Sequence, residues 1–370
     1  MKLMCQMKKT IIISAINFFE GGPLSILKDC ISYLEENLTD KYDVIIFVHK
    51  ATLLQSNKIK FVELPKSRKS YLYRFYYEYI WFYFESLRVK PYLWFSLHDM
   101  TPNVNAKIRA VYCHNPSPFY KITRREFFIE PTLGLFNLFY GFLYRININK
   151  NMFVVVQQNW LRNEFRNRLN VKSKIIVAPP NVRIDTIKIE TKSSPVAKPI
   201  FFFPALPRVF KNFECICEAA RILNARKLDF ELHITLLGNE NKYSNLLFKE
   251  FGCVDNIKFI GLLPRDKVFE MFEKSIALVF PSKLETWGLP ITEAKLFNKP
   301  ILVSNLPYAH ETVGTYSKVS FFEPNDSLVL ADLMEQLIKN TIIYDGNTAI
   351  KIDSPIANNW EEIFKLLLNN

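Results

Sequence analysis

The chain has 370 residues, of which 49% are hydrophobic and 23% are charged. This balance is typical of soluble globular proteins and excludes collagen-like, coiled-coil and disordered chains. A chain of this length is expected to form two domains. No stretch of 18 or more uncharged apolar residues occurs, so no transmembrane helix is expected. The basic first nine residues precede only a short apolar run, so no signal peptide is expected.

The net charge of +12 is concentrated in the first half of the chain. Residues 1–187 contain 27 Lys and Arg against 14 Asp and Glu, whereas residues 188–370 contain 21 against 22. A basic half predicts an anionic partner, such as a phosphate compound or an anionic lipid surface. A general lysine bias is the alternative. No zinc-finger or RNP-like motif accompanies the charge, so no nucleic-acid partner is expected. The six cysteines form no C-x-x-C pair, which indicates reduced thiols in a cytoplasmic protein.

Short apolar runs alternate with helix-length amphipathic stretches along nearly the whole chain. The predicted strands are Thr10–Ile16, Asp43–His49, Ile59–Leu64, Tyr92–Leu97, Arg109–His114, Met152–Gln157, Lys174–Ala178, Ile200–Phe203, Leu232–Leu237, Ile257–Ile260, Ile276–Phe280, Pro300–Val303 and Lys318–Phe322. The predicted helices are Leu24–Leu38, Trp160–Leu169, Asn212–Asn224, Asp266–Phe272, Leu289–Phe297, Ser327–Lys339 and Trp360–Leu368. This alternation predicts an α/β protein with two doubly wound domains and parallel sheets.

The polar stretch KIETKSSPVAK is aperiodic and contains a proline, so it predicts a linker at residues 188–199. The first domain is then expected at residues 1–187 and the second at 200–345. The segment 346–370 is expected to return to the first domain through its helix. In open α/β sheets ligands bind beyond the carboxyl ends of strands, and clefts between domains are favoured sites.

Several motifs that carry chemistry are absent from the sequence. There is no G-x-G-x-x-G, G-x-x-x-x-G-K-[ST], G-x-S-x-G or H-E-x-x-H motif, and no D-x-D pair. These absences argue against a nicotinamide enzyme, a P-loop NTPase, an α/β-hydrolase and a zinc protease.

The strongest candidate site is IALVFPSKLETWGLPITEAKLF at residues 276–297. Glu285 and Glu293 have seven residues between them, and Gly288 and Pro290 lie in that interval. Proline suits the first turn of a helix, glycine permits close approach of a ligand, and free N–H groups at a helix start favour phosphate. A capping loop followed by a solvated glutamate is the structural alternative, and the residues alone leave both open.

This segment resembles the E-x7-E region of retaining, GT-B-fold sugar-nucleotide glycosyltransferases of family 4. The wider pattern is similar too, with ITLLGN at 234–239, IKFIGLLPRDKVFEMFEKSIALVFPS at 257–282 and ETWGLPITEAKLFNKPILVSNLPYAHETVG at 285–314. The resemblance is good over about residues 200–340 and weaker in the first half. It implies the GT-B fold, in which two Rossmann-like domains face each other across a cleft.

The resemblance also implies roles for residues of the second domain. Glu285 would contact the hydroxyls of the donor sugar, and Glu293 would bind the ribose hydroxyls of the nucleotide. The amides around Gly288, Leu289 and Pro290 would hold the sugar O4 or the diphosphate. The further donor-binding candidates are Gly238 and Leu262.

A second motif, FFFPALPRVFKNFE at residues 201–214, contains two cations that precede a helix, Arg208 and Lys211. In the family, a Gly-Arg and a Lys-Asn or Lys-Gly place cations on the diphosphate, so no metal site is needed. Lys211-Asn212 matches this pattern, but Pro204-Ala205 replaces Gly-Arg, and we expect Arg208 to take over that task. Two merely solvated cations are disfavoured, because cations oppose the helix dipole at a helix start. No metal and no cofactor are expected.

The first domain contains weaker candidates. Gly21 and Gly22 in FFEGGPLSI resemble the glycine loop that faces the donor phosphates and the acceptor, although a tight turn is an equal alternative. His114 in VYCHNPSPFY ends a strand, where a histidine of the family hydrogen-bonds the donor sugar. The acceptor-side candidates, for which loop structure is the alternative, are His98, Asp99 and Asn115.

The aromatic stretch SRKSYLYRFYYEYIWFYFESLRVK at residues 67–90 is flanked by basic residues. It is too charged to span a bilayer, and it predicts contact with the headgroups of an anionic membrane. Aromatic-rich core helices are the alternative. Together with the basic half, this stretch predicts a cytoplasmic protein that is peripheral on the inner face of the plasma membrane.

The expected reaction is metal-independent transfer of a hexosyl-type sugar from a UDP or GDP donor to an acceptor hydroxyl, with retention. No side-chain nucleophile is evident, and the family is thought to use front-face attack with the departing phosphate oxygen as base. The expected acceptor is lipid-linked or an oligosaccharide, in the synthesis of O-antigen, capsule or a related surface polysaccharide. The alternatives are another GT-B enzyme of the epimerase or phosphorylase type and a non-catalytic paralogue that acts as a scaffold.

Overall fold

The structure is a computed structural model that describes residues 8–180 and 198–369. The chain divides into two compact units. Unit 1 contains residues 1–115, 139–181 and 352–370, and unit 2 contains residues 116–138 and 182–351. Of the predicted linker at 188–199, all but the last two residues lie outside the described part of the chain.

Within the described residues, unit 1 contains a sheet of seven parallel strands. Its spatial order is β3-β2-β1-β4-β5-β6-β7. The central strands are continuous apolar runs, as expected for a parallel sheet that is covered on both faces. The strands are β1 (Lys9–Ala15), β2 (Tyr42–Val48), β3 (Lys60–Glu63), β4 (Leu93–Ser96), β5 (Ile108–Cys113), β6 (Phe153–Val156) and β7 (Lys174–Val177).

Unit 2 contains a sheet of six parallel strands in its described residues, in the order β10-β9-β8-β11-β12-β13. The strands are β8 (Ile200–Phe203), β9 (Glu231–Ile234), β10 (Ile257–Phe259), β11 (Ala277–Phe280), β12 (Ile301–Ser304) and β13 (Val319–Phe322). Each of the thirteen predicted strands is therefore present, with ends that shift by a few residues. The predicted pair of doubly wound α/β sheets is confirmed.

Helices connect the strands in both units. The helices before residue 200 are α1 (Gly21–Asn37), α2 (Tyr71–Tyr76), α3 (Phe82–Val89), α4 (Arg124–Ile129), α5 (Pro131–Arg145) and α6 (Asn159–Leu169), with a π-helical turn at Tyr77–Trp81 between α2 and α3. Those that follow are α7 (Phe213–Ala225), α8 (Lys242–Phe251), α9 (Arg265–Lys274), α10 (Leu289–Leu296), α11 (Pro307–Val313), α12 (Ser327–Ile338) and α13 (Trp360–Leu368). No helix among the described residues is long and apolar enough to cross a membrane.

The strand order determines where each unit can bind a ligand. In unit 1, β1 and β4 are neighbours, and the chain continues from them towards opposite edges of the sheet. In unit 2, β8 and β11 are related in the same way. Such a switch point leaves a crevice beyond the carboxyl ends of the two strands, which is where α/β sheets bind their ligands.

The last helix, α13, packs in unit 1. Ile363, Phe364 and Leu367 belong to the same buried apolar cluster as residues of β1 and α1. The rings of Phe364 and Tyr33 stack with their centroids 5.5 Å apart. The C-terminal helix therefore completes the hydrophobic core of unit 1.

The segment 116–138 belongs to unit 2, although the sequence placed all of residues 1–187 in the first domain. Long-range ion pairs join this segment to the rest of unit 2. Glu126 in α4 pairs with Lys283, and Glu130, which follows α4, pairs with Arg208. Pairs that join residues so far apart in the chain leave no periodic signal in the sequence.

We expect Leu367→Ala to lower the free energy of unfolding by about 2–5 kcal/mol, because it removes a buried leucine and leaves a cavity. Leu367 is fully buried. Urea unfolding followed by tryptophan fluorescence measures the change, since Trp81, Trp94, Trp160 and Trp360 lie in unit 1. The matched control is Lys365→Ala on the exposed face of the same helix, and an equal loss in both variants would contradict the packing of α13 described above.

Candidate functional site

The loop after β8 is fixed by Asn212. This residue is buried, and it adopts the left-handed conformation with φ of +60° at the start of α7. Its side-chain Nδ2 donates to the carbonyl oxygens of Pro281 and Pro324, at 3.1 and 2.6 Å. Those carbonyls lie in the loops after β11 and β13, so one side chain joins three loops at the ligand-binding edge of the sheet. The sequence identified Asn212 only as part of a motif and missed this role.

Lys211 and Glu285 meet at the switch point of unit 2. Lys211 Nζ lies 2.5 Å from Glu285 Oε1, and the two side chains are only 17% and 12% exposed. The rings of Phe210 and Phe280 lie 5.5 and 5.7 Å from Lys211 Nζ. Since little water reaches the pair, its electrostatic interaction is stronger than that of a surface pair. The structure thus brings together two of the predicted site residues.

The start of α10 requires a glycine. Gly288 has φ of +82°, which favours glycine. A Cβ at this position would lie 3.2 Å from Ile291 Cδ1 and 3.3 Å from Phe280 Cε1. Leu289 and Pro290 are the first helical residues, and the ring of Pro290 removes an N–H that would have had no partner in the helix. The N-terminal end of this helix, where backbone N–H groups lack a helical partner, follows Glu285 by only three residues.

Glu293 lies one turn into α10 and is half-buried. Among the described residues, nothing hydrogen-bonds its carboxylate. Burial raises the pKa of the Glu293 carboxyl, and the charge of Arg265 opposes that rise. A partly desolvated carboxylate without donors is costly to the folded chain. It is therefore suited to accept hydrogen bonds from the hydroxyls of a ligand.

The two remaining donor candidates lie in neighbouring loops of the same sheet. Gly238 follows β9 with φ of +94°, and a Cβ there would lie 2.5 Å from Phe248 Cβ. The amides of Leu237 and Gly238 donate to the Glu240 carboxylate at 2.6 and 3.0 Å. Leu262 follows β10 and its side chain is exposed. Close packing thus explains Gly238, whereas Leu262 is free to contact a ligand.

Arg208 does not join the Lys211–Glu285 pair. Its Nε pairs with Glu130 Oε1, and the guanidinium carbon lies 5.6 Å from the centre of the Phe210 ring. The side chain of Arg208 remains 41% exposed. The structure therefore places Arg208 in the predicted loop with an acidic partner that the sequence did not reveal.

In unit 1, Gly21 and Gly22 lie in open space after β1. Gly21 has φ of +64°, and a Cβ at either position would meet no atom within 4 Å. Packing therefore requires neither glycine. Open space beside exposed backbone is what a loop that approaches a ligand needs.

Asp99 organises the end of β5. Its Oδ1 accepts from the amides of His114 at 2.5 Å and Asn115 at 2.9 Å, and from the Tyr144 hydroxyl at 3.0 Å. His114 Nε2 donates to the carbonyl oxygen of Leu97 at 2.8 Å. Burial lowers the pKa of His114, and the charge of Asp99 opposes that shift. The imidazole is therefore neutral near pH 7. Asp99 Oδ1 already accepts hydrogen bonds from groups of the protein itself.

His98 is a correction to the sequence analysis, which expected it to line the acceptor side. Its side chain is fully buried. Nδ1 donates to the carbonyl oxygen of Ser14 at 2.8 Å, and Nε2 pairs with the buried Glu78. Arg74 Nη2 donates to the carbonyl oxygen of His98 at 3.1 Å. Arg74 and Glu78 are themselves buried, so this part of the aromatic stretch packs inside unit 1.

Together these features define a class of protein. It has two doubly wound α/β units, and one of them presents a cation, a glycine-led helix and a carboxylate without donors at its switch point. Residues 185–350 match the family described as Glycosyl transferases group 1. These residues, which form most of unit 2, are therefore similar to a family of glycosyltransferases. A comparison with curated protein sequences gave no match.

Comparison with solved structures supports the same fold. Sucrose-phosphate synthase from Thermosynechococcus elongatus has a TM-score of 0.64 at 12% identity, over 90% of both chains. WaaG, a glycosyltransferase involved in lipopolysaccharide biosynthesis, has 0.62 at 11% identity, over 89% of this chain and 90% of its own. HepE from Anabaena, in complex with UDP and glucose, has 0.59 at 14% identity, over 90% of both chains. The predicted GT-B fold is confirmed.

We expect Glu293→Gln to raise the melting temperature at pH 7.5. A carboxyl whose pKa is raised in the folded state loses stabilisation as the pH rises through that pKa, and glutamine does not ionise. The gain over wild type should shrink as the pH falls towards 4.5, because the wild-type carboxyl becomes protonated first in the folded state, and about half of it is then protonated in the unfolded chain as well. Thermal unfolding between pH 4.5 and 8 measures it, with Glu250→Gln on the exposed surface of α8 as control. A gain that does not depend on pH would contradict the assignment of a costly charge to Glu293.

Proposed function

We propose that the protein is a glycosyltransferase, which moves a hexosyl-type sugar from a nucleoside-diphosphate donor to an acceptor hydroxyl with retention of configuration. The observation that carries the proposal is the Lys211–Glu285 pair at the switch point of unit 2, beside the glycine-led start of α10. A cation and free helix amides suit a diphosphate, and a carboxylate beside them suits sugar hydroxyls.

Donor binding changes the partner of Lys211. In the unliganded chain its ammonium pairs with Glu285. When the diphosphate binds, Lys211 and the α10 amides neutralise the leaving group, and Glu285 accepts hydrogen bonds from the sugar. Preorganised charges of this kind stabilise the negative charge that develops as the sugar bond breaks. Because Lys211 and the helix supply this charge, the proposed reaction needs no metal ion.

Glu293 is proposed to bind the ribose hydroxyls. Its carboxylate is half-buried and lacks donors in the described chain, so two hydroxyl groups would satisfy it. UDP is the first donor nucleotide to test, because HepE was solved with UDP and glucose, and GDP is the second. Leu262 and the backbone amides around Leu289 and Pro290 complete the proposed donor contacts.

His114 is proposed to hydrogen-bond the donor sugar, as the histidine of the family does at this strand end. Burial lowers the pKa of His114, so the ring is neutral near pH 7, and Nδ1, which the Gln157 amide approaches at 3.5 Å, is the nitrogen that would accept from a sugar hydroxyl. Neutral imidazole suits a sugar hydroxyl, since no charge has to be desolvated. Gly21 and Gly22 leave room for the acceptor or the donor phosphates, and Asn115 is proposed for the acceptor side.

The proposed pathway is the synthesis of a surface polysaccharide, such as O-antigen, capsule or lipopolysaccharide. WaaG, whose fold is similar, is a glycosyltransferase involved in lipopolysaccharide biosynthesis, and this supports the choice. The acceptor would be lipid-linked or an oligosaccharide, and the protein would act in the cytoplasm at the inner face of the plasma membrane.

The surface of α2, the π-helical turn and α3 supports membrane contact. Leu72 and Phe84 are 82% and 65% exposed, and Tyr71 is exposed as well. Basic residues of the flanking sequence, among them Arg68 and Lys90, lie at the ends of this surface. An apolar surface with basic ends suits the headgroup region of an anionic membrane.

We expect the wild-type protein to bind one of UDP-glucose, UDP-galactose, UDP-N-acetylglucosamine or GDP-mannose, seen as a rise in melting temperature. Lys211→Ala should lower the transfer or donor-hydrolysis rate with that donor by about 10²-fold, as loss of one preorganised charge does. Addition of EDTA should leave the rate unchanged. The control is Lys365→Ala, far along the chain from this loop. Failure to bind any nucleotide sugar or nucleoside diphosphate would overturn the proposed function.

We expect the protein to sediment with vesicles that contain phosphatidylglycerol and to be released by about 0.5 M salt, because salt screens the basic surface. The double variant Leu72→Ser/Phe84→Ser should bind these vesicles about tenfold less tightly, since it removes two apolar side chains from the contact. Ile343→Ser, which alters an exposed apolar residue of unit 2, is the control. Equal binding to neutral and anionic vesicles would contradict the role of charge.

A further inference from the structure

The segment 116–138 of unit 2 contacts the loops that carry the proposed donor site. Glu126 Oε1 lies 3.3 Å from Lys283 Nζ, in the loop after β11. Glu130 pairs with Arg208, in the loop after β8. The ring of Tyr120 meets the ring of Phe210 edge-on, with the centroids 6.4 Å apart. The segment is therefore part of the surroundings of the site, although Glu130 precedes Arg208 by 78 residues and Glu126 precedes Lys283 by 157.

Glu130 binds both the side chain of Arg208 and the adjoining backbone. Its Oε1 pairs with Arg208 Nε, and its Oε2 accepts from the Val209 amide at 3.2 Å. The Glu130 side chain is 18% exposed. Because the Val209 amide anchors one oxygen independently of the guanidinium, the carboxylate stays in place whether or not Arg208 also binds a ligand.

The remaining donors of Arg208 are available for an anion. A guanidinium carries five N–H groups, and Glu130 forms an ion pair with Arg208 at Nε, although the Nε–H makes no hydrogen bond. Among the described residues, the two terminal amino groups form no hydrogen bond. A guanidinium held at Nε with its terminal amino groups free can bind two oxygens of a phosphate at once.

A cavity lies beside this pair. It has a volume of about 320 Å³, and its lining includes Arg208, Glu130, Asn241 and Lys242. This volume is at the lower end of the range for ligand sites. Lys242 Nζ donates one of its three N–H groups to the carbonyl oxygen of Phe128 at 2.8 Å, whereas the two terminal amino groups of Arg208 offer four donors in a planar fork.

We propose that Glu130 is a positioning residue that aims Arg208 at the diphosphate of the donor. The inference rests on the proposed function. It explains how Arg208 can replace the arginine that the family places earlier in this loop. Without a partner, the flexible side chain of Arg208 would have to become ordered when the ligand binds. The Glu130 carboxylate orders this side chain beforehand.

The test measures the dissociation constants of UDP, GDP and inorganic pyrophosphate by isothermal titration calorimetry. Arg208→Ala should weaken binding by roughly tenfold to a hundredfold, the loss expected for hydrogen bonds to a charged group. Glu130→Ala should weaken it by about three- to tenfold, because the guanidinium loses its orientation. The double variant should bind no worse than Arg208→Ala, since Glu130 acts through Arg208. Each ligand is titrated into the same set of variants. A merely structural role of Glu130 would not produce this non-additive pattern.

Two further variants keep the test sharp. Glu130→Gln retains one acceptor oxygen for Arg208 and should bind only about two- to fivefold more weakly, which tests the idea if Glu130→Ala fails to fold. Glu218→Ala breaks the exposed pair with Arg221 in the same unit and should bind like wild type. Melting temperatures confirm that each variant is folded.

The outcomes separate the two proposals. Normal diphosphate binding by folded Glu130→Ala, or losses that add up in the double variant, would overturn the positioning role alone. Tighter binding by Glu130→Ala would overturn it too and would make Glu130 a competing anion. If wild type binds pyrophosphate with this dependence but no nucleoside diphosphate, the proposed function fails and the positioning role stands. No binding of any probe by wild type would overturn both.

Discussion

The ion pair between Lys211 and Glu285 is the interaction on which the rest of the site depends. It joins the loops after β8 and β11, the two strands that define the switch point of unit 2. Asn212 anchors the lysine-bearing loop through two carbonyl oxygens. Removal of either charge would leave the other partly buried without a partner, which is strongly unfavourable. A diphosphate can replace Glu285 as the partner of Lys211, and sugar hydroxyls can replace Lys211 as the partner of Glu285. A ligand that carries both groups therefore finds both charged side chains already in place.

Carboxylates bound to backbone amides recur at the ligand-binding edges of both sheets. Asp99 holds the amides of His114 and Asn115, and Glu240 holds those after β9. Glu130 holds the Val209 amide in the same way. Each carboxylate fixes a loop that has no ladder of backbone hydrogen bonds of its own. The loops are thereby ordered before a ligand arrives, which lowers the entropy that binding has to overcome.

The sequence predicted the strands and pointed to Lys211 and Glu285, which the structure brings together, because both depend on local patterns. The roles of Lys211, Glu285 and Glu293 in donor binding stay predictions. Buried parallel strands are short apolar runs with turns on either side, and a helix start after a strand is a local motif. The pairs of Glu130 with Arg208 and of Glu78 with His98 could not be predicted in this way. They join residues 78 and 20 positions apart, and an acidic residue in a helix gives no sign of which distant cation it will meet.

The glycines separate folding constraints from ligand contacts. The chain has only ten glycines. At helix ends, asparagines such as Asn170 and Asn212 adopt the left-handed backbone conformation instead. Gly238 and Gly288 are retained where both a positive φ and a close neighbour exclude a side chain. Gly22 meets neither condition, since its φ is ordinary and the space beside it is open. In a chain that avoids glycine elsewhere, neither backbone conformation nor packing explains Gly22, and this is the reason to expect a ligand that approaches the backbone there. Substrate contact by the loop after β1 stays a prediction.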